Sequence, residues 1–471
     1  MNSSDESNSF TPRLLKKIQM QGGAPGTHPS GWVQARGVLT RTSQRRASAP
    51  TRQMGLFQQP AKTVVLIGTL DSKGEEVLYL KRLVETRGHR AVVVDVGVRG
   101  RPAFLAEVSR EEVAAAAGAD LADLAAAGER GRALTAMMNG AALLVRALQA
   151  TGRLDGILGL GGGSGTAVAA GAMRALPFGV PKLLVSTKGS ADVSPYVGTK
   201  DIAILHSVTD IMGLNPLLRR VLANAAGAIC GMVEAKVQEP NPRPAVAITA
   251  FGVTTPAAER CRDLLAERGY EALVFHANGT GGRAMEELIE QGTVDAVLDL
   301  TTTELADELC GGTQSAGPHR LEAAGRLGLP QVVAPGALDM VNFFRPEAVP
   351  AKYAGRTFYR HSPLAVLMRT TPAENAVLGR WLGERLTAAR GPAALLLPLR
   401  GVSEYDKEGG VFHDPEADHV LFAEARKAAE GVEVVEVDAH INDPAFAQAA
   451  VALLLRLAER AGRNQEDKRG D

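Results

Sequence analysis

The chain has 471 residues, 52 Lys plus Arg balanced by 52 Asp plus Glu, and only 4% aromatic side chains. Zero formal net charge and scarce aromatics weigh against a nucleic-acid-binding surface, and no uninterrupted apolar run reaches the roughly 20 residues that a membrane helix needs. The length predicts two or three domains, and three scattered cysteines, Cys230, Cys261 and Cys310, point to a reducing cytoplasm rather than a disulfide framework or structural zinc.

Residues 1–60 are rich in Ser, Arg, Gln, Gly and Pro and lack a periodic apolar pattern, so they are expected to be a disordered extension. Met54 sits just before the ordered pattern and could be the true start. From Lys62 onward, strand and helix signals alternate. Thr63–Ile67 is a β-branched strand, followed by the turn Gly68-Thr69-Leu70-Asp71-Ser72-Lys73. Ser72 and Glu75 have the spacing of a capping box for a helix over Glu76–Thr86, which Arg87-Gly88-His89 ends. Ala91–Val96 is the next strand, and residues 103–150 are Ala-rich and mostly helical. Ile157–Leu160 is a buried strand that runs into Gly161-Gly162-Gly163-Ser164-Gly165-Thr166 and a small-residue helix over Ala167–Leu176. The strand Lys182–Ser186 opens into a polar loop that begins at Thr187 and reaches Asp201.

Near Pro240–Pro244 the pattern restarts. Ala245–Ala250 is a strand, Thr254-Thr255-Pro256 opens a helix, and Arg268-Gly269-Tyr270 ends it as Arg87-Gly88-His89 ends the earlier one. Strands follow at Leu273–His276 and Val294–Leu300. The repeated order predicts an α/β protein of two Rossmann-like subdomains, 61–238 and 239–463, with mainly parallel sheets covered by helices and a short disordered tail over 464–471.

The glycine run at 161–165 is the strongest chemical signal. A strand, a turn without side chains and a helix N-terminus let backbone N–H groups meet an anion, helped by the helix dipole. Ser164 and Thr166 add hydroxyls, and Lys73 sits on another strand–helix turn within reach of a phosphate. The same features also fit a tightly packed turn and a solvated lysine. No P-loop Gly-Lys-Ser/Thr is present, and Ser164 replaces the third glycine of a dinucleotide fingerprint. In the second half, Gly279, Gly281 and Ala284 fit the looser pattern G-x-G-x-x-A, which would imply NAD(P). Beside them, His276 is a general-base candidate, and Asn278, Gly282 and Arg283 are possible ligand contacts. Thr301-Thr302-Thr303-Glu304 has capping-box spacing, and Glu304, Asp307 and Glu308 share a face that suits either Mg²⁺ or solvent.

Several longer stretches stand in a familiar order. They are Gly68–Lys73, Tyr196–Asp201, Phe251–Thr255, His276–Glu286, Asp299–Asp307, Gly336–Phe343 and Leu367–Thr371. Together they resemble the ATP-binding domain family of the tomato tobamovirus-resistance protein (the Tm-1-like domain) and its bacterial members, over residues 62–443. The resemblance implies two Rossmann-like subdomains, ATP as ligand and a homodimer. The expectation from the whole sequence is a cytoplasmic ATP-binding protein, with Mg²⁺ where phosphates need it. The nucleotide contacts are expected at Gly68, Thr69, Asp71, Ser72, Lys73, Gly161, Gly162, Gly163, Ser164, Gly165, Thr166 and Thr187. Two alternatives stay open. One is an ATP-dependent enzyme acting on a small acidic metabolite that faces His276, Arg283 or Arg369. The other is an NAD(P)-dependent oxidoreductase.

Overall fold

A computed structural model describes residues 60–126, 128–237 and 243–470. The extension expected over 1–60 therefore lies outside the described residues, apart from Pro60. The chain divides into two compact units, Met1–Val237 and Gln238–Asp471.

The N-terminal unit is built on β1 (Thr63–Gly68), β2 (Arg90–Asp95), β3 (Gly156–Gly161), β4 (Lys182–Ser186) and β5 (Ala203–His206). All pairings are parallel, in the order β2-β1-β3-β4-β5. Alternate residues of each strand serve opposite faces, as the pleat requires. Val64 and Leu66 pack against helices Leu70–Thr86 and Pro216–Glu234. Val65 and Ile67 pack against helices Arg110–Ala116, Arg130–Ala150 and Gly163–Arg174. Burial on both faces explains why these strands are continuous apolar runs.

The C-terminal unit contains β6 (Ala245–Ala250), β7 (Glu271–His276), β8 (Ala296–Thr301), β9 (Gln331–Gly336), β10 (Met340–Phe343), β11 (Phe358–Ser362), β12 (Ala365–Arg369), β13 (Ala393–Pro398) and β14 (Glu433–Val437). Six of them form a parallel sheet in the order β14-β13-β9-β8-β6-β7. Numbered within the unit, that is the same 2-1-3-4-5 order with one strand added. An antiparallel sheet, β10-β12-β11, is inserted between β9 and β13. Helices Thr255–Ala266 and Pro444–Gly470 cover one face of the parallel sheet, and Leu378, Leu382 and Leu421 belong to the core on the other. Helical backbone continues to Gly470, through most of the stretch that the sequence sets apart as a tail from 464.

Small contacts repeat along with the strand order. Asp155 accepts a hydrogen bond from Thr63 N at 2.7 Å, and Asp295 accepts one from Ala245 N at 2.7 Å. In each unit, then, a carboxylate just before the third strand holds the start of the first. Gly88 (φ 86°) and Gly269 (φ 82°) both take the left-handed conformation that stops the first helix. In this strand order the connections leave β1 and β3, and likewise β6 and β8, in opposite directions. A crevice therefore opens at the carboxyl ends of each pair, the usual ligand position in open α/β sheets.

One packing contact opposes local helix propensity. A Cβ on Gly140, in the helix Arg130–Ala150, would lie 1.9 Å from the Val113 carbonyl oxygen of the neighbouring helix. Helix propensity favours Ala over Gly by about 1 kcal/mol, while overpacking costs about 1–3 kcal/mol. Gly140→Ala is expected to lower stability to urea; a gain would show that the two helices separate freely.

Candidate functional site

The crevice of the N-terminal unit opens into a cavity of about 500 Å³. Its lining includes Thr69, Asp71, Ser72 and Lys73 after β1, Val96, Val98, Arg99 and Gly100 after β2, Gly161–Gly165 after β3, and Leu124, Glu129, Arg130 and Leu134 among residues of the helical insertion. Asp95 holds these parts in register. Buried at the end of β2, it accepts hydrogen bonds from Leu70 N (3.0 Å) and Gly97 N (2.9 Å), and burial raises its pKa above the ordinary carboxylate value. Asp71 accepts from Arg99 N at 2.9 Å and fastens the following loop. Lys73, Arg99 and Arg130 are the cations of the lining, and Asp71 and Glu129 its carboxylates. Arg130 donates to Ser164 Oγ at 2.7 Å. Among the described residues the Lys73 ammonium has no hydrogen-bond or ion-pair partner.

The glycines of the run differ in what the fold requires of them. A Cβ on Gly161 would lie 2.6 Å from the backbone of Gly165 and Thr166, so strand–helix packing itself demands glycine there. At Gly162 the nearest atom would be Thr187 Oγ1 at 3.9 Å, and at Gly163 it would be Lys188 Cε at 3.6 Å. None of the four has a positive φ. The fold therefore has no use for the missing side chains at Gly162 and Gly163, which leaves backbone access from the cavity. The helix Gly163–Arg174 has Gly162 as N-cap and no side-chain capping bond, so its N-terminus is open on that side.

The structure places the other expected contacts unevenly. Gly68, Thr166 and Thr187 do not line the cavity. The Thr166 hydroxyl faces inward, donating to Gly161 O (3.1 Å) and sharing a hydrogen bond with Ser186 Oγ (2.7 Å), so the expected phosphate donor is engaged by the core. The capping box expected at Ser72 and Glu75 is not formed either. The helix begins at Leu70, kinks at Lys73, and Ser72 Oγ pairs with Thr69 Oγ1 at 2.8 Å. The sequence reading missed Arg99 and Arg130. Arg130 lies in an Ala-rich insertion whose local pattern shows only a helix.

In the C-terminal unit the second glycine loop is already filled. Glu304, fully buried, accepts from Gly279 N at 2.6 Å and Gly282 N at 3.1 Å, and takes Arg320 Nε at 2.6 Å. A Cβ on Gly282 would lie 2.1 Å from that carboxylate, one on Gly281 1.9 Å from His276 O, and one on Gly279 2.7 Å from Ser315 O. These glycines are explained by the fold, and a protein carboxylate stands where the dinucleotide reading needs a pyrophosphate. That corrects the expectation of NAD(P) at this loop. Asn278 Oδ1 accepts from Gly281 N, which closes the turn, and Arg283 Nε donates to Gly279 O. His276 is exposed and stacks on Phe251, with ring centroids 5.2 Å apart.

The capping box expected at Thr301–Glu304 and the solvated acidic face are corrected as well. Thr303 makes no capping bond, and Glu304 and Asp307 are fully buried. Arg320, 1% exposed, bridges Asp299 at 2.5 and 2.8 Å, Glu304 at 2.6 Å and Glu286 at 3.3 Å. Burial alone would depress its pKa, but these carboxylates hold it well above the ordinary arginine value. Arg369, expected to face a small acid, is instead held by Asp418 (2.8 Å), Asp406 (3.3 Å) and the Phe412 carbonyl (2.7 Å). Among the described residues no group of three or more His, Cys, Asp or Glu side chains is arranged to hold a metal ion, and no helix is long and apolar enough to cross a membrane.

The fold and crevice define a class: a tandem parallel α/β protein with an open, glycine-lined crevice in its N-terminal unit and a glycine loop occupied by its own Glu304 carboxylate in its C-terminal unit. Residues 62–238 match the N-terminal domain of the uncharacterised protein family UPF0261, and residues 243–458 match its C-terminal domain. The chain belongs to this family. It is 46% identical over 402 residues to a UPF0261 protein of Clostridium tetani, covering 85% of this chain and 100% of that one. Identity to the Rhizobium meliloti UPF0261 protein RA0729 is 47% over 397 residues, 83% of this chain and 98% of that one. The ToMV susceptible protein tm-1(GCR26) of Solanum lycopersicum is a homologue at 34% identity over 433 residues, 87% of this chain and 57% of that protein.

Buried acids give the C-terminal unit a pH signature. Burial lifts Asp339 to about 6 and Asp307 to about 7. Asp406 rises to about 9 through burial and the nearby Asp339 and Asp418. Each folded-state pKa lies above the ordinary value of 3.8, so the folded protein holds protons that the unfolded chain has released. Their contribution to stability is complete below about pH 4 and is lost as pH rises through 6 to 9. The melting temperature is expected to fall between pH 5 and 9, and Asp406→Asn to flatten the upper part of that fall. An unchanged slope in the variant would contradict the assignment.

Proposed function

We propose that the N-terminal crevice binds ATP through its phosphates. The supporting observation is the open N-terminus of the helix Gly163–Arg174, entered through Gly162 and Gly163, whose side chains the fold would accommodate. Backbone N–H groups and about half a positive charge at that end suit an anion. Lys73, Arg99 and Arg130 bring cations to the same cavity, and Val96, Val98, Leu124 and Leu134 offer an apolar wall to the nucleoside. The volume of about 500 Å³ falls within the usual range for small-ligand sites. ATP, rather than another phosphate ester, is the ligand expected from the Tm-1-like resemblance.

Mg²⁺ would enter with the nucleotide. Asp71 and Glu129 are the carboxylates available beside the phosphates, and Mg²⁺ usually takes one or two carboxylates plus phosphate oxygens. In this reading the protein is a homodimer, which light scattering with and without ATP tests. Whether ATP is consumed on a small acidic metabolite is decided by measuring ADP release across a panel of carboxylic acids.

Titration calorimetry with ATP tests the site. Gly162→Val fills the open space over the loop and is expected to abolish binding while keeping the wild-type melting temperature. Lys73→Met removes a charge-assisted bond worth about 1.5–3 kcal/mol, so affinity is expected to fall by about tenfold to a hundredfold. Lys81→Met, on the same helix but paired with Glu107, serves as the control. Wild-type affinity in both Gly162→Val and Lys73→Met would sink the proposal.

A further inference from the structure

The turn after β4 bears on the crevice, although it does not line the cavity. Its backbone is fastened to the core on both sides of Lys188. Lys188 N donates to Ser186 Oγ at 2.9 Å, and the same buried hydroxyl is bonded to Thr166 Oγ1 at 2.7 Å, within the helix that the glycine run starts. Gly189 N donates to Ser186 O at 3.3 Å. A Cβ on Gly189 would lie 2.8 Å from His206 Cα on β5, so packing demands this glycine.

From this anchored turn the Lys188 side chain runs over the glycine loop. Its Cε lies 3.6 Å from where a Cβ on Gly163 would be, and the ammonium is one bond further on. Lys188 is exposed, and among the described residues its ammonium has neither an ion-pair nor a hydrogen-bond partner. Asp192, the next carboxylate in the loop, accepts from Ser194 N at 3.0 Å instead. Arg130 flanks the same helix turn from the insertion, through Ser164 Oγ, and among the described residues it too lacks a carboxylate partner. The amides of Gly163, Ser164 and Gly165 donate to no acceptor among the described residues. Two cations from different elements thus stand beside the positive end of one helix, which is unfavourable until an anion lies among them.

The placement of Lys188 adds a requirement on ligand length. Lys73, Arg99 and Arg130 border the cavity, whereas Lys188 stands outside its lining, on the β4 side of the helix start. We infer that Lys188 binds the outermost phosphate of a linked chain that crosses the Gly162–Gly163 step from the cavity, and so selects nucleoside triphosphates over monophosphates. This rests on the reading of the crevice as a nucleotide site and adds the residue that distinguishes phosphate chains by length.

Titration calorimetry of the full chain with ATP, AMP and inorganic tripolyphosphate, at one ionic strength, tests it. Wild type is expected to bind ATP at least about tenfold more tightly than AMP, the effect of one charge-assisted bond. Lys188→Met is expected to weaken ATP and tripolyphosphate about tenfold, leave AMP unchanged and keep the melting temperature. Lys188→Arg is expected to retain most of the ATP affinity, and Lys81→Met to behave as wild type. If Lys188→Met is unstable, Lys188→Gln takes its place with the same expectations. Tripolyphosphate binding that depends on Lys188 without any ATP binding would defeat the nucleotide reading and support Lys188 as a reader of phosphate chains. Equal affinities for ATP and AMP in wild type, or an unchanged ATP-to-AMP ratio in folded Lys188→Met, would overturn the inference while leaving ATP in the crevice. Absence of saturable binding by both ATP and tripolyphosphate would overturn both.

Discussion

A helix that starts at the carboxyl end of a parallel strand presents unpaired N–H groups and a partial positive charge, which a side-chain cap, water or an anion has to satisfy. Both units face that demand at strand carboxyl ends, and they answer it differently: the open helix start follows the third strand of the N-terminal unit, whereas the amides that Glu304 fills follow β7, the second strand of its unit. After its third strand the N-terminal unit has Gly162 and Gly163, an uncapped helix and a cavity. After its third strand the C-terminal unit has Thr303 and Glu304, and the Glu304 carboxylate satisfies the neighbouring glycine loop from inside the protein. An acid placed there forces further choices. A buried carboxylate needs a cation, which Arg320 supplies, and Arg320 in turn needs Asp299 and Glu286 to complete its donor geometry. The network is a consequence of sealing one crevice with protein charge.

Much of the framework was legible in the sequence because it rests on local signals. β-Branched runs marked the parallel strands, and Arg-Gly followed by an aromatic ring marked the first helix end of each unit, where a left-handed glycine is required. The inserted sheet β10-β12-β11 was not seen. Met340–Phe343 and Ala365–Arg369 are short, and the fully buried β10 has no alternation to separate it from a core helix turn.

The site was legible only in part, for a related reason. Ser72-x-x-Glu75 and Thr301-x-x-Glu304 have capping-box spacing, but spacing cannot show where a side chain is drawn by a partner far along the chain. Glu304 is drawn to Arg320 and to the amides of Gly279 and Gly282, and Ser72 to Thr69. Thr166 looked like a phosphate ligand from its place after the glycines, yet one turn of helix carries its hydroxyl to Ser186. Arg130 reaches Ser164 from 34 residues away, a contact that no motif encodes.

The contrast between glycine loops yields a general criterion for sites of this kind. Glycines at 279, 281 and 282 look like a ligand fingerprint, but added Cβ atoms there would collide with the protein's own backbone or with Glu304. Glycines at 162 and 163 match no standard fingerprint, and the protein would not touch their Cβ atoms closely. A glycine demanded by internal packing is fully accounted for by the fold. A run of glycines that internal packing does not demand, beside an uncapped helix, leaves the absent side chains to be accounted for by what approaches from outside. By that reasoning the weaker sequence match marks the loop that internal packing leaves open, and the stronger one marks a loop that the chain has closed with its own carboxylate.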